Sequence, residues 1–172
     1  MITRHIIIIV VLSTILGVVT NMFSPRKIDF FGSYRSLSDG NGPIVPPTAD
    51  AGDPPFIAID VAEMEYSNYE VLFIDARETE EFECGTIPGS VNIPFDYLPE
   101  DGLEKYIDSA VGGLPRDYHY IIFCSGEECD LSLHLGRNMQ DMGYTNIAIF
   151  FGGSREWEKF GLELERRRPC GE

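Results

Sequence analysis

Cys124 opens the most reactive stretch of the chain. It follows the apolar run Tyr120-Ile121-Ile122-Phe123 and enters Ser125-Gly126-Glu127-Glu128-Cys129, just before a helical pattern. A thiol at the end of a buried strand and in front of a helix can be ringed by backbone N–H groups and faced by the positive end of the helix dipole. Both stabilise a thiolate or any anion built on the sulfur. That is the setting of a nucleophile; an inert buried cysteine is the other reading. Cys129 lies across one short loop, near enough for the two sulfurs to meet, so a redox role stays open beside simple packing under the helix start. Glu127 and Glu128 oppose both a lowered Cys124 pKa and the approach of an anion. A second polar pair, Asp75 and Arg77, ends the apolar run Val71-Leu72-Phe73-Ile74. Cys84 and Cys170 have no partner that spacing assigns, and a bridge between them is open. Cys124, Cys129 and His134 share a region without paired Cys-x-x-Cys or His-x-x-x-His spacing, so neither a metal site nor a cofactor is expected.

These groups need elements to hold them. Phe56–Ile59, Val71–Ile74, Ser90–Ile93, Tyr120–Phe123 and Ile147–Phe151 read as short apolar strands. Asp60-Val61-Ala62-Glu63 has the capping-box pattern of a helix start. Thr79 to Cys84 is helix-compatible, and Leu103–Val111 is a helix candidate. Asp130–Met142 is a helix with Leu131, Leu135, Met139 and Met142 on one side, ended by Gly143. Gly152-Gly153 breaks the last strand before a helix around Trp157. Strands that alternate with helices and are apolar throughout predict an α/β domain with a buried, mostly parallel sheet. Ligands of such sheets bind beyond the carboxyl ends of the strands, where Asp75/Arg77 and Cys124 fall.

The 172 residues carry 13 Lys plus Arg against 28 Asp plus Glu, a formal charge of −15, and are 44% apolar. The length suits one domain with an appendage, and the apolar content suits a real core. The acidity argues against a nucleic-acid partner. It is carried by residues 56–172, because the first 55 balance Arg4, Arg26, Lys27 and Arg35 against Asp29, Asp39, Asp50 and Asp53. Ile6 to Phe23 holds no charge. At about 1.5 Å per residue it reaches roughly 27 Å, near the thickness of a bilayer core. Residues 1–23 therefore read as a transmembrane anchor, with a cleaved signal sequence as the rival. Residues 24–55, rich in Gly, Ser, Asp and Pro, read as a flexible tether, and 56–172 as the domain. The flanking charges specify orientation weakly. A short basic start before an apolar run is how exported chains begin, and we read a single-pass protein with an extracytoplasmic, periplasmic domain.

The motifs resemble those of one family. Asp75-x-Arg77, then Glu81-x-x-x-Gly85-x-Ile87-Pro88-Gly89-x-x-Asn92-Ile93-Pro94, then Tyr120–Phe123 running into Cys124, then Gly143-Tyr144-x-Asn146-Ile147 and Gly152-Gly153-x-x-x-Trp157 resemble the rhodanese-like sulfurtransferases over roughly residues 56–165. The resemblance implies a three-layer rhodanese-like domain. It also implies a persulfide chemistry, in which Cys124 takes sulfur from a small donor and passes it to a thiol acceptor or a partner protein. Ser125 to Cys129 would cradle the persulfide. Asp75 would accept backbone N–H groups, and Arg77 would pair with Glu81 or the substrate. Family loops commonly read Cys-x-x-Gly-x-Arg; here Cys129 holds the arginine's place, and Glu127 and Glu128 make thiosulfate a poor donor. Phosphate chemistry is disfavoured for the same reason. Cys129 could instead resolve a Cys124 persulfide by forming a disulfide, and a non-catalytic interaction domain is a third reading. Thr86, where the family often has histidine, reads as surface variation, Trp157 and Gly152-Gly153 as packing and turn residues, and Arg166-Arg167-Arg168 as a solvated tail.

Overall fold

β-branched and aromatic residues dominate four short segments, β1 (Val71–Asp75), β2 (Val91–Asn92), β3 (His119–Phe123) and β4 (Ile147–Phe150). They form one parallel sheet in the order β2-β1-β3-β4. The computed structural model describes residues 2–23 and 42–170 except Tyr69, Glu127 and Glu128. The segment 24–41 of the expected tether and the two loop carboxylates lie outside the described residues. The chain divides into two units, 1–35 and 36–172.

Alternate side chains of each strand point to opposite faces. One row, Ile74, Ile122 and Ile149 in register, packs with Ile107 of α4 (Leu103–Ala110) and with Leu135 and Met139 of α5 (Leu131–Asp141). The other face presents Phe73, Ile121, Ala148 and Phe150 to Ala62 of α2 (Ile59–Tyr66) and Trp157 of α6 (Gly153–Lys159). The result is the three-layer, parallel α/β arrangement that the sequence leads one to expect. Truncating a buried side chain such as Leu135 to alanine costs about 2–5 kcal/mol in such a core. Gly136 lets α5 lie close, since a Cβ there would sit 2.8 Å from Ile149 Cδ1.

Three expectations are corrected. Phe56–Ile59 is not a strand: Phe56 makes one parallel bridge beside β4, with Ile57 N–H donating to the Ile149 carbonyl, and α2 already begins at Ile59. Asp60 consequently lies inside the first turn, where its Oδ1 takes the Val61 N–H at 2.9 Å; the N-cap is Ala58, without a side-chain cap. The described part of the tether, from residue 42, is packed onto the domain. Ile44 is 2% exposed in the core, and Arg137 of α5 donates to both carboxylate oxygens of Asp53 at 2.6 and 2.8 Å and to the Thr48 carbonyl. A composition of Gly, Pro and Asp hides this, because one buried isoleucine and one bidentate ion pair suffice to hold the segment.

The first unit is described as one helix, α1 (Ile2–Phe23). Its hydroxyls donate back along the helix, Ser13 and Thr14 to the Val10 carbonyl and Thr20 to that of Leu16. Among the described residues, which omit several α1 side chains, no helix is long and apolar enough to cross a membrane.

Candidate functional site

The carboxyl ends of β1, β3 and β4 bring the chemistry together. At β1, Asp75 is fully buried and Arg77 is 6% exposed. Arg77 donates through Nε to Asp75 Oδ1 at 2.9 Å and through Nη2 to Oδ2 at 2.6 Å, and Nη2 also reaches the Gly85 carbonyl at 2.7 Å. Asp75 Oδ1 takes the Arg77 N–H, and Oδ2 takes the Thr86 hydroxyl at 2.8 Å. Burial works against the guanidinium's charge, but the hydrogen bond and charge of Asp75 outweigh it and hold Arg77 above its ordinary pKa. Removing one partner of such a pair costs about 3–5 kcal/mol. Asp75 thus organises the loop as expected. The ion-pair partner of Arg77 is Asp75 rather than Glu81. Thr86 is a fully buried member of this network, also within 2.8 Å of Ser90 Oγ, and is no surface variation.

Cys124 directly follows β3 and is fully buried. Its thiol donates to the Cys129 carbonyl, with Sγ 2.7 Å from the oxygen, and the Ser132 hydroxyl donates to the Cys124 sulfur at 3.6 Å. The Gly126 N–H also serves that sulfur. Burial pushes the Cys124 thiol up, and the neighbouring Cys129 pushes it further; Ser132 and Gly126 oppose them. Cys129 moves the other way, down to about 6. The Cys124 thiol is the largest cause; burial opposes it, and the N–H groups of Ser125 and Leu131 and the Ser125 hydroxyl assist. These are two halves of one shared proton. Of the two, the buried Cys124 thiol is thus the harder to ionise and the half-buried Cys129 the easier. The cradle expected around Cys124 therefore lowers the thiol at the far end of the loop.

The loop is braced by the chain that follows β4. Ser154 N–H donates to the Cys124 carbonyl at 2.9 Å and Arg155 N–H to that of Ser125 at 3.2 Å. Gly153 adopts φ +60°, and a Cβ there would meet the Cys124 carbonyl oxygen at 2.2 Å, so only glycine allows this approach. Gly126, at φ +143°, lies beside the Arg155 side chain. Trp157 is buried, with Nε1 donating to the Glu163 carbonyl at 3.1 Å, in the packing role expected of it. A cavity of about 670 Å³ opens here, lined by Arg77, Ser125 and Arg155, by Cys84 and Cys170, and by Glu80, Glu81 and Glu158.

Comparison with known proteins agrees with this architecture. The profile of the rhodanese-like domain matches residues 59–160. The chain belongs to the rhodanese-like domain family. Human thiosulfate:glutathione sulfurtransferase is 34% identical over 89 residues, 48% of this chain and 75% of the human protein. An HTH-type transcriptional regulator of Mycobacterium tuberculosis is 29% identical over 102 residues, 59% of this chain but 41% of that protein's length. The 3-mercaptopyruvate sulfotransferase SseA of Escherichia coli shares the fold with a TM-score of 0.57 at 22% identity, over 69% of this chain and 54% of that one. Relatives of this rhodanese-like domain thus include sulfurtransferases.

Sequence reading missed three residues at the site. Arg155 supplies a cation beside Gly126, and among the described residues its side chain makes no ion pair. Ser132 touches the Cys124 sulfur from inside α5. Thr86 closes the Asp75 network. The missing loop arginine was a signal that a cation had to come from elsewhere; nothing in the sequence marks the inward turn of Ser132 and Thr86.

Proposed function

We propose that the domain is a sulfurtransferase that carries sulfane sulfur as a persulfide on Cys124. The observation that carries this reading is the setting of Cys124 at the end of β3, its thiol donating to the Cys129 carbonyl at 2.7 Å, its sulfur met by the Ser132 hydroxyl and the Gly126 N–H, with the more easily ionised Cys129 beside it. Cys129 takes the Cys124 proton as the Cys124 sulfur attacks the outer sulfur of the donor. A sulfur–sulfur bond forms on Cys124, and the donor's own bond breaks with its electron pair on the leaving thiolate. Ser132 and the Gly126 N–H steady the charge, and an acceptor thiol removes the sulfur by the reverse displacement.

The donor in this reading is a singly charged organic persulfide. Arg155 favours one negative charge at the loop, whereas Glu127 and Glu128 disfavour the dianion thiosulfate. The acceptor is a small thiol or a partner protein. Loading the full chain with an organic persulfide and with thiosulfate tests this: faster loading by the persulfide is expected, and equal or slower loading overturns the choice of donor. A second reading, a thiol–disulfide module of Cys124 and Cys129, is favoured by the depressed Cys129 pKa. It predicts a bridge between them and no retained sulfur.

The absence of charge from Ile6 to Phe23 supports a membrane anchor with an extracytoplasmic domain. Carbonate extraction and protease protection of the full chain test it. Retention in the carbonate pellet and digestion by protease added to spheroplasts are expected; release into the supernatant overturns the anchor, and survival of the domain until the spheroplasts are lysed overturns the sidedness.

A further inference from the structure

Cys84 and Cys170 are not used by the loop chemistry, yet the fold brings them together across 86 residues, with the Cys170 thiol donating to the Cys84 carbonyl at 3.0 Å. Their placement is held from several sides. Thr86 and Glu165 exchange backbone hydrogen bonds of 3.0 and 2.9 Å, and the N–H groups of Arg167 and Arg168 donate to the Glu83 carbonyl at 2.8 and 3.2 Å. Arg168 also donates to the Glu80 carbonyl at 3.1 Å, and the Arg167 guanidinium lies 4.5 Å over the Phe82 ring. The three arginines that read as a solvated tail instead form a strap across α3 (Thr79–Cys84). The strap sets both thiols on the cavity that Ser125 borders, beside Arg166 and Arg168.

We propose that Cys84 and Cys170 are an internal dithiol acceptor that takes sulfur from the loop and releases it as sulfide. The proposal rests on the persulfide reading above. The Cys84 thiolate attacks the outer sulfur of the loop persulfide, and the loop thiolate leaves. The Cys170 thiolate then attacks the Cys84 sulfur of the new persulfide, and hydrosulfide leaves as the Cys84–Cys170 disulfide forms. One loop persulfide and two thiols give one loop thiol, one disulfide and one hydrogen sulfide. The sulfane sulfur gains two electrons, and the two cysteine sulfurs lose one each. The guanidinium groups of Arg166 and Arg168, on the same cavity, favour negative charge at Cys170.

The test uses the full chain, reduced, freed of small thiols without air, and given one equivalent of 2-mercaptoethanol persulfide with no added reductant. The expected result is close to one sulfide per chain, with the peptides of Cys84 and Cys170 joined and two hydrogens lighter. In Cys170→Ser, sulfide falls by about tenfold or more and the extra sulfur is found on Cys84. In the Cys84→Ser, Cys170→Ser double variant the sulfur stays on the loop. Undiminished sulfide from that double variant, with a Cys124–Cys129 bridge, overturns the proposal and leaves the loop chemistry standing. A wild-type chain that loads sulfur but keeps it also overturns it. A wild-type chain that neither loads sulfur nor releases sulfide overturns the persulfide reading together with this one. Unchanged circular dichroism of each variant, whose altered residues lie on the cavity rim, shows that the fold is retained.

Discussion

Two cysteine pairs in this chain make the same hydrogen bond in different surroundings. In each, one thiol donates to the backbone carbonyl of the other cysteine, at 2.7 Å from Cys124 to Cys129 and at 3.0 Å from Cys170 to Cys84. The loop pair is five residues apart and sits between a buried strand and a helix, where burial raises Cys124 and the Cys124 thiol, assisted by peptide N–H groups, lowers Cys129. The rim pair is 86 residues apart, with Cys170 exposed, and its electrostatics come from arginine side chains. Cys84 and burial hold the Cys170 thiol above its ordinary pKa, and Arg166 and Arg168 oppose them only in part. Backbone dipoles fix a charge at one sulfur and hold it there. At the rim, Arg166 and Arg168, themselves paired with Glu158 and with Glu80 and Glu83, offset part of the cost of a charge on Cys170. The first arrangement suits a site that must hold a sulfur, the second a site that must receive and release one.

The comparison breaks most sharply at Cys124. Cys124→Ser is expected to lose sulfur loading altogether while keeping its fold; retained loading would give the carrier role to another cysteine. The next effect is on stability. In the chain-entropy account, closing a loop of this length stabilises by about 4.5 kcal/mol, against about 2 kcal/mol for a bridge within the short loop. Oxidising the rim pair in a Cys124→Ser, Cys129→Ser background should therefore raise the urea midpoint clearly. An unmoved midpoint, with the bridge verified, would mean that the strap is not ordered in solution.

Cys129→Ser sharpens the electrostatic half of the contrast. Removal of the base should slow loading at neutral pH by about a hundredfold. In the unaltered chain, the Cys129 proton is bound below about 6 and released above it. Loading should thus fall as the pH drops through 6 and level off above, and that step should vanish in Cys129→Ser. A step that survives belongs to another group. The smallest effect is at Arg155. Arg155→Gln should raise the KM for an anionic persulfide by about threefold to tenfold with kcat nearly unchanged, the size of one exposed charge contact. Equal KM values would place the donor elsewhere in the cavity.

Much of the fold was legible because each strand is a continuous apolar run and each strand end carries a polar signature. Val71–Asp75, His119–Phe123 and Ile147–Phe150 fall within a residue of their predicted limits. The errors share a cause, which is long-range partnership. Phe56–Ile59 has the composition of a strand, but β4 offers it one bridge only. Ile44 and Asp53 gain their places from α5, more than eighty residues away. Thr86 is buried against Asp75, and the exposed arginine strap is held by the Glu83 carbonyl. At the site, Cys124, Asp75 and Arg77 announced themselves by position. The opposite shifts of Cys124 and Cys129 did not, since they depend on which sulfur the fold buries and on the approach of the two thiols.

The most direct test of the account is to locate the sulfur. The full chain would be loaded with an organic persulfide at neutral pH, its free thiols and persulfides capped, and its peptides fragmented between Cys124 and Cys129. In Cys84→Ser, Cys170→Ser, where the rim cannot drain the loop, one added sulfur on Cys124, removed by cyanide, is the predicted result. An added sulfur on Cys129, or none on either, would contradict it.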